Sequence, residues 1–352
     1  MERTRKMVQP ESADLLHFED FPPGCVREFG ERSITREDIL AFATQFDPQP
    51  FHLDEEAAKA SLLAGLAASG WHTFAIMMRL LCDDWVLRST SMGSPGVQEA
   101  HWIEPVRPGD RLSIQMRVDD ARPSRSRPEM GLLTLSTAVL NQKRTIVART
   151  RHVHMIGRRE RTPSTNVEAG AGPRRPDPRQ EKPRPDAVSA NGAPYGYLER
   201  VELGQPIALG EYAFHKDDMI RFARAFDPQP FHIDEQAAAH SHFNKLVASG
   251  WHVAGAFMRC LVDARQELEA QARARGETPP ASGPSPGFTD MRWLKPTYEG
   301  DVLAFSTTPV AKRRTSRPGW GLLFSENAGS DQNGVRKFEY RSAVFYPTLP
   351  QA

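Results

Sequence analysis

The nonapeptide FDPQPFHLD at residues 46–54 is the stretch from which the rest of the chain can be interpreted, because it occurs twice. At residues 226–234 the chain reads FDPQPFHID, with eight of nine letters unchanged. Helix-forming sequence lies on both sides of each copy, and two prolines prevent a helix from continuing through it. What remains to be explained is the pairing of one acid with one histidine in an interrupted helix.

The repetition extends far beyond the nonapeptide. Residues 54–83 align without gaps on residues 234–263, and later blocks match at offsets of 190 and 191 residues instead of 180. Extra residues around 271–280 of the second copy explain the change in offset. A repeat this long predicts a duplicated domain rather than a solenoid, whose periods are about 20 to 50 residues.

The predicted boundaries are an N-terminal domain at 12–157, a linker at 158–196 and a C-terminal domain at 197–350. The linker segment contains seven prolines but no Leu, Ile, Phe, Met or Trp. Such a composition buries too little apolar surface to offset the entropy of ordering, which favours a flexible, Pro-rich connection.

Each copy shows the same order of elements. In the first, residues 35–38 resemble a capping box that begins a helix, and a short helix is expected after Asp54. A long apolar helix is predicted from about Gly70 to Val86. The segments 111–121, 131–141 and 144–156 then alternate as strands do. One long buried helix followed by antiparallel strands predicts an α+β fold.

Bulk composition excludes several classes of function. The chain has 45 basic and 44 acidic residues, without the charge excess of a nucleic-acid-binding protein. No apolar window is long enough to span a membrane, and the N-terminus lacks the apolar region of a secretory signal. Three cysteines, none in matching repeat positions, favour neither disulfides nor a zinc site. We therefore expect a cytoplasmic protein without a metal.

The acid and the histidine of the nonapeptide are the candidate catalytic residues. Asp47 and His52 in the first copy, and Asp227 and His232 in the second, are separated by a turn-like segment braced by prolines. In such a segment both side chains can face one cavity, where a carboxylate and an imidazole hold a water and exchange its protons. The alternative is structural, with the acid ending one helix and the histidine either capping the next helix or satisfying a buried carbonyl.

A second repeated block, ASGWH, supplies candidate substrate-binding residues: Ser69, Gly70, Ser249 and Gly250. Glycine at the start of a buried helix permits close approach of a ligand, and the helix dipole favours an oxygen there. This arrangement suits an oxyanion. The alternative is that the serines are ordinary N-caps and the glycines relieve packing.

Other repeated residues favour structural roles. His72 and His252 fall one turn into an apolar helix, which is typical of core histidines. Trp102 and Trp293 precede a turn and are interpreted as strand packing. The arginines around the two SRP turns (Arg125, Arg127, Arg314 and Arg317) are interpreted as hairpin tips, with phosphate binding as the alternative.

These motifs resemble the MaoC-like hydratase/dehydratase family, which includes (R)-specific enoyl-CoA hydratases. The resemblance rests on the order D-x4-H-x-D, an Ala-rich short helix, and a Gly at the start of an apolar helix followed by strands. It covers both copies. It implies two hotdog domains, each a long helix wrapped by a curved antiparallel sheet, packed as a pseudo-dimer with active sites at their interface.

The resemblance also implies residue roles. Asp47, His52, Asp227 and His232 match the hydratase dyad, which activates water for addition at C3 of a trans-2-enoyl thioester. The amides of Gly70 and Gly250 match the group that holds the thioester oxygen. Two positions depart from the family pattern: Gln49 and Gln229 replace Asn, and Ser69 and Ser249 replace His. These departures are expected to alter the acyl pocket.

The leading hypothesis is reversible hydration of an enoyl-CoA to a (3R)-hydroxyacyl-CoA, with CoA as part of the substrate and no other cofactor. One alternative is a hotdog thioesterase, in which the same Asp directs water at the carbonyl. Another is an acyl-CoA-binding module without turnover, which two intact dyads disfavour. No nucleic acid or membrane partner is expected, and a homodimer of the tandem chain is one assembly that the sequence allows.

Overall fold

The computed structural model describes residues 15–159, 195–281 and 283–350. Almost all of the linker predicted at 158–196 therefore lies outside the described residues. The two predicted domain ranges each contain one set of the helices and strands given below.

The helices of the two halves correspond one to one. The first half contains α1 (Arg36–Phe46), α2 (Pro50–Leu53), α3 (Glu55–Ala60) and α4 (Gly70–Asp84), and the second contains α5 (Lys216–Phe226), α6 (Pro230–Ile233), α7 (Glu235–Ala239) and α8 (Gly250–Ala274). Helix α4 has 15 residues and α8 has 25. The extra residues of the second copy therefore lengthen its long helix at the C-terminal end.

Helix α1 begins as the sequence predicts. The Thr35 hydroxyl accepts a hydrogen bond from the Asp38 amide at 3.0 Å, and the Asp38 carboxylate accepts one from the Thr35 amide at 3.0 Å. This reciprocal pair satisfies two amide groups that the helix itself leaves unbonded. The predicted capping box is confirmed.

Ten strands in the described part of the chain form one antiparallel sheet. They are β1 (Val26–Ser33), β2 (Gly96–Trp102), β3 (Arg111–Pro123), β4 (Met130–Leu140), β5 (Ile146–Gly157), β6 (Ile207–Ala213), β7 (Gly287–Trp293), β8 (Val302–Arg314), β9 (Trp320–Ser330) and β10 (Arg336–Pro347). The order is β1-β3-β4-β5-β2-β7-β10-β9-β8-β6. The three strands predicted in the first copy correspond to β3, β4 and β5. Strands β1 and β2 were not predicted.

The two halves join through the pairing of β2 with β7, in the middle of the sheet. Val97 pairs with Met291, and Ala100 pairs with Phe288. A Cβ atom on Gly96 would lie 2.1 Å from the Met291 carbonyl oxygen, and one on Gly287 would lie 2.2 Å from the Ala100 carbonyl oxygen. The joint therefore requires glycine at both positions.

A contact that a helix of the first half makes with the second half has an equivalent that runs from the second half to the first. Arg79 donates to the Arg224 carbonyl at 2.9 Å, and Arg259, which is 180 residues further on, donates to the Thr44 carbonyl at 2.8 Å. One continuous cluster of buried apolar side chains includes residues of both halves. The chain therefore has a pseudo-twofold arrangement with a shared core.

No helix in the described ranges combines the length and apolar character needed to cross a bilayer. Helix α4 has 15 residues, of which 11 are buried in the protein. Its apolar surface packs against strands and against the other long helix.

Candidate active site

The first half of the nonapeptide places its acid at a helix end. Helix α1 stops at Phe46, and the Asp47 amide makes the closing hydrogen bond to the Ala43 carbonyl at 2.9 Å. Pro48 cannot continue the helix, and it restricts the backbone of Asp47. The Asp47 carboxylate is consequently held at the C-terminal end of α1, where it is almost completely buried.

The second half of the nonapeptide is one helical turn rather than the predicted loop. Pro50 occupies the first position of α2, where proline is favoured because no amide donor is needed there. This turn carries His52 back toward Asp47. The predicted convergence is confirmed: His52 Nε2 lies 3.5 Å from Asp47 Oδ2, and His232 Nε2 lies 3.4 Å from Asp227 Oδ2.

A backbone carbonyl determines which nitrogen of each histidine carries the proton. His52 Nδ1 lies 2.8 Å from the Ala67 carbonyl oxygen, and His232 Nδ1 lies 2.7 Å from that of Val247. A carbonyl only accepts, so Nδ1 donates, and the neutral ring has its lone pair on Nε2. That lone pair faces the carboxylate at a distance longer than the usual 2.9 Å or so of a hydrogen bond. A water on the cavity side of the pair is within hydrogen-bonding reach of both groups.

The carboxylates are oriented by neutral donors. Asp47 accepts from Ser69 Oγ at 2.6 Å and from Gln49 Nε2 at 2.9 Å. In the second copy Ser249 and Gln229 donate to Asp227 at 2.7 and 3.0 Å. The two positions that depart from the family pattern therefore both contact the carboxylate.

The predicted substrate-binding residues divide into two groups. Gln49 and Gln229 line the cavities described below, whereas Ser69 and Ser249 do not appear in the lining formed by the described residues. Each serine also caps its helix by accepting from the Trp amide two residues on. The structure thus places the serines behind the acids, as groups that position them.

These donors affect the pKa of the second acid. Burial acts to raise the pKa of Asp227, but His232 in its protonated form and the hydrogen bonds from Ser249 and Gln229 outweigh this effect. The pKa of Asp227 consequently lies below its usual value. The carboxylate is ionised at neutral pH and available as a base.

The glycines of ASGWH are required by the packing and also face the cavities. A Cβ atom on Gly70 would lie 2.2 Å from the Trp102 ring, and one on Gly250 would lie 2.3 Å from the Trp293 ring. Both glycines line a cavity at the first residue of a long helix. Amides of a first helical turn have no partner within the helix, so they are suited to bind an oxygen. The structure is therefore compatible with both interpretations of these glycines, relief of packing and binding of an oxyanion.

Each cavity lies between the halves. The first, of about 320 Å³, combines Asp47, His52 and Gly70 with second-half residues that include Tyr340. The second, of about 260 Å³, combines Asp227, His232 and Gly250 with Met77, His152 and His154 of the first half. Neither site is complete within one half.

Tyr340, His152 and His154 were not predicted as site residues. Burial raises the pKa of Tyr340 well above its usual value, and the charge of Asp47 acts in the same direction. Burial also lowers the pKa of His152 to about 4 and that of His154 to about 3. All three side chains are therefore neutral at pH 7. The sequence could have indicated them, because the last strand of each half, β5 and β10, carries polar residues at positions that face inward.

The other repeated residues behave largely as predicted. His72 stacks on Phe42 with ring centroids 4.6 Å apart, and burial lowers its pKa to about 3. His252 stacks on Phe222 in the same manner. Arg317 is exposed and lines the first cavity, which leaves the phosphate-binding alternative open for that residue.

Comparison with known proteins gives this architecture a family. The model of the family described as MaoC like domain matches twice, over residues 20–139 and 199–318. The chain belongs to the MaoC-like family. A putative MaoC domain dehydratase from Chloroflexus aurantiacus superposes with a TM-score of 0.73 at 17% identity, over 97% of this chain and 100% of the other.

Two further relatives define the fold and the repeated unit. A conserved hypothetical protein of Mycobacterium tuberculosis with a double hotdog fold superposes with a TM-score of 0.64 at 14% identity, over 95% and 99% of the chains. The uncharacterized Bacillus subtilis protein YdeM is 32% identical over 128 residues, which is 36% of this chain and 89% of YdeM. This chain is a tandem hotdog protein of the α+β class.

Proposed function

We propose that this MaoC-like protein catalyses the reversible addition of water to a trans-2-enoyl-CoA, forming a (3R)-hydroxyacyl-CoA, at two sites that each draw on both halves. The observation that carries the proposal is the Asp–His pair, present in both copies and facing the same cavity as a helix N-terminus. The three parts correspond to the needs of a conjugate addition: a base, an acid and an oxyanion site.

In the hydration direction, a water in the cavity hydrogen-bonds to both the carboxylate and His Nε2. As the water oxygen bonds to C3, the pair takes its proton, and the electrons of the double bond move onto the thioester oxygen. The Gly70 or Gly250 amide stabilises that oxygen at the positive end of the helix. Return of a proton to C2 completes the addition of one water, and no redox change occurs.

The first half supplies one dyad and the second half supplies the other, so two turnover sites per chain are proposed. The neutral donors from Ser69 and Gln49, and from Ser249 and Gln229, orient the two carboxylates. The donors to Asp227 also lower its pKa. The absence of a further cofactor and the cytoplasmic location stay predictions.

The test is to incubate the protein with crotonyl-CoA while measuring two signals, loss of the enoyl-thioester absorbance and release of free thiol. Hydration is expected without thiol release, and chiral analysis of the product is expected to give the (3R) alcohol. Thiol release without hydration would instead support the thioesterase, and binding without either signal would support a non-catalytic module.

Single variants test whether both sites work. Asp47→Asn and Asp227→Asn are nearly isosteric and each removes one base. Each single variant is expected to retain part of the crotonyl-CoA activity, and the double variant is expected to lose at least 100-fold, the usual size of a general-base contribution. If one single variant loses everything and the other nothing, the second dyad does not turn over.

A further inference from the structure

The two cavities differ most where they face the opposite half. In the first, Thr307, Asn327 and Ser342 lie on the three adjacent strands β8, β9 and β10, and all three line the cavity. Thr307 and Asn327 are 3% and 4% exposed. Such burial of uncharged polar groups costs free energy unless they are hydrogen-bonded, so the cluster needs a reason to be there.

The cluster is internally bonded but still offers groups to a ligand. Thr307 Oγ1 donates to Asn327 Oδ1 at 2.7 Å, and Asn327 Nδ2 donates to Ser342 Oγ at 2.9 Å. Because Ser342 accepts from Asn327, its own hydroxyl hydrogen can turn toward the cavity. Thr307 and Ser342 also retain lone pairs there. The wall therefore presents both a donor and acceptors.

Strand pairing identifies the matching residues around the second cavity. Thr307 pairs with Asn327, and the corresponding pair in the first half is Met116 with Thr137. Ser342 pairs with Ser325, and the corresponding pair is His152 with Leu135. Of these four first-half residues, only His152 lines the second cavity among the described residues.

At this depth the second cavity is lined by His152 and His154, whose ring nitrogens already contact the Thr150 and Ser91 hydroxyls, whereas Met116, Leu135 and Trp85 lie outside its lining. Met116 and Leu135 have no exposed surface, and neither has Trp85, whose ring lies 4.7 Å from that of His154. The residue 180 positions after Trp85 is Arg265, which lines the first cavity and donates to Tyr346 Oη at 3.0 Å. The position that places a cation in the lining of the first cavity is therefore a buried apolar ring outside the lining of the second.

We infer that the two sites select different acyl chains: the Asp47–His52 site takes an enoyl-CoA whose acyl chain carries an oxygen substituent, a hydroxyl or a carboxylate, and the Asp227–His232 site takes an unsubstituted aliphatic chain. This inference rests on the proposed hydration. A hydroxyl both donates to and accepts from the Thr307–Asn327–Ser342 cluster, and a carboxylate accepts from Ser342 in a cavity that Arg265 also lines. An aliphatic chain covers this polar wall without replacing its hydrogen bonds to water.

The expected selectivity is moderate. Sites whose buried polar groups lose every partner with the wrong substrate discriminate by 10⁴ or more. Here the cluster remains bonded to itself with either substrate. The preference is therefore expected to be about tenfold in kcat/KM, which is about 1.4 kcal/mol.

The experiment compares three CoA thioesters of equal chain length on the two single-site proteins. The substrates are trans-2-hexenoyl-CoA, its 6-hydroxy derivative and the CoA monothioester of trans-2-hexenedioic acid. Asp227→Asn leaves the first site and Asp47→Asn leaves the second. We expect the first site to prefer at least one oxygenated substrate about tenfold over hexenoyl-CoA, and the second site to prefer hexenoyl-CoA. The two oxygenated substrates separate hydroxyl recognition from carboxylate recognition.

A matched pair of variants assigns the preference to the cluster. In the Asp227→Asn background, Ser342→Ala removes the hydroxyl that donates into the cavity and is expected to abolish the preference, whereas Ser342→Thr retains a hydroxyl and is expected to keep it. Thr137→Val in the Asp47→Asn background also removes a hydroxyl, but away from the second cavity, and is expected to leave that site's substrate ratio as it was. Thermal unfolding of each variant establishes that it is folded.

Equal substrate ratios at the two sites would overturn the inference, and so would a preference that persists in Ser342→Ala. Both outcomes differ from failure of the proposed function, in which the unmodified chain hydrates none of the three substrates and not crotonyl-CoA either.

Discussion

Removal of the Ser249 hydroxyl is expected to shift the pH dependence of the second site. The background is Asp47→Asn, which restricts the proposed reaction to Asp227 and His232. In it, Ser249→Ala deletes the hydrogen bond of 2.7 Å to Asp227 Oδ2. This bond favours the ionised carboxylate, so its loss raises the pKa of Asp227. Because the base must be ionised, the acidic limb of the kcat/KM profile moves to higher pH.

The size of the shift follows from the hydrogen bond. A hydrogen bond to a charged group contributes about 1.5–3 kcal/mol, and one pKa unit corresponds to about 1.4 kcal/mol. The limb is therefore expected to move upward by about 1 to 2 pH units. Gln229 still donates to Oδ1 and His232 remains beside Oδ2, so the carboxylate keeps its other partners.

The assay is the rate of crotonyl-CoA hydration between about pH 2.5 and pH 8, because the acidic limb of the parent lies below the usual Asp pKa of about 3.9. Ser249 also caps α8, and loss of such a cap costs about 1 kcal/mol of stability. Ser69→Ala in the same background removes the matching cap of α4 but leaves Asp227 untouched. An acidic limb that stays in place in Ser249→Ala, or that moves equally in Ser69→Ala, would refute the proposed effect of the hydroxyl on Asp227.

Two further predictions concern stability. Gly70→Ala is expected to lower the free energy of unfolding by about 1–3 kcal/mol, since the new Cβ meets the Trp102 ring at 2.2 Å. Urea denaturation measures this, and the same substitution is expected to cost less when it is made in a Trp102→Ala background. Trp293→Phe is expected to destabilise the folded protein by about 1 kcal/mol more than Trp102→Phe does. The reason is that Trp293 Nε1 donates to the Gly250 carbonyl at 3.0 Å, whereas Trp102 Nε1 has no partner among the described residues. Equal unfolding midpoints for the two Trp variants would contradict this difference.

Much of the local structure was predictable from short stretches. The capping box at Thr35 and the helix stop at Pro48 depend on neighbouring residues, and both are present in the structure. The convergence of Asp47 with His52 was also predicted correctly, because two prolines leave a five-residue span few conformations. The helical turn at Pro50–Leu53 was missed, since four residues show too little periodicity to indicate a helix.

Strands that lack a clear alternation were harder to predict. Strand β1 exposes many of its side chains, and β2 contains the glycine that permits the close approach of β7. Their pairing depends on partners far along the chain, as in the contact of Val97 with Met291. A pattern confined to one segment carries little information about such a partner.

The sequence by itself determined the duplicated unit, the two Asp–His pairs and the glycines at the helix starts, because each depends on spacing within a few tens of residues. Only the tertiary structure decided what surrounds those pairs. Asp47 shares a cavity with Tyr340 and Asn327, and Asp227 shares one with His154. These residues meet because β2 pairs with β7 and brings the last strands of each half beside the helices of the other. The physical reason is that backbone pairing across the joint, rather than any local preference, sets which side chains form each wall.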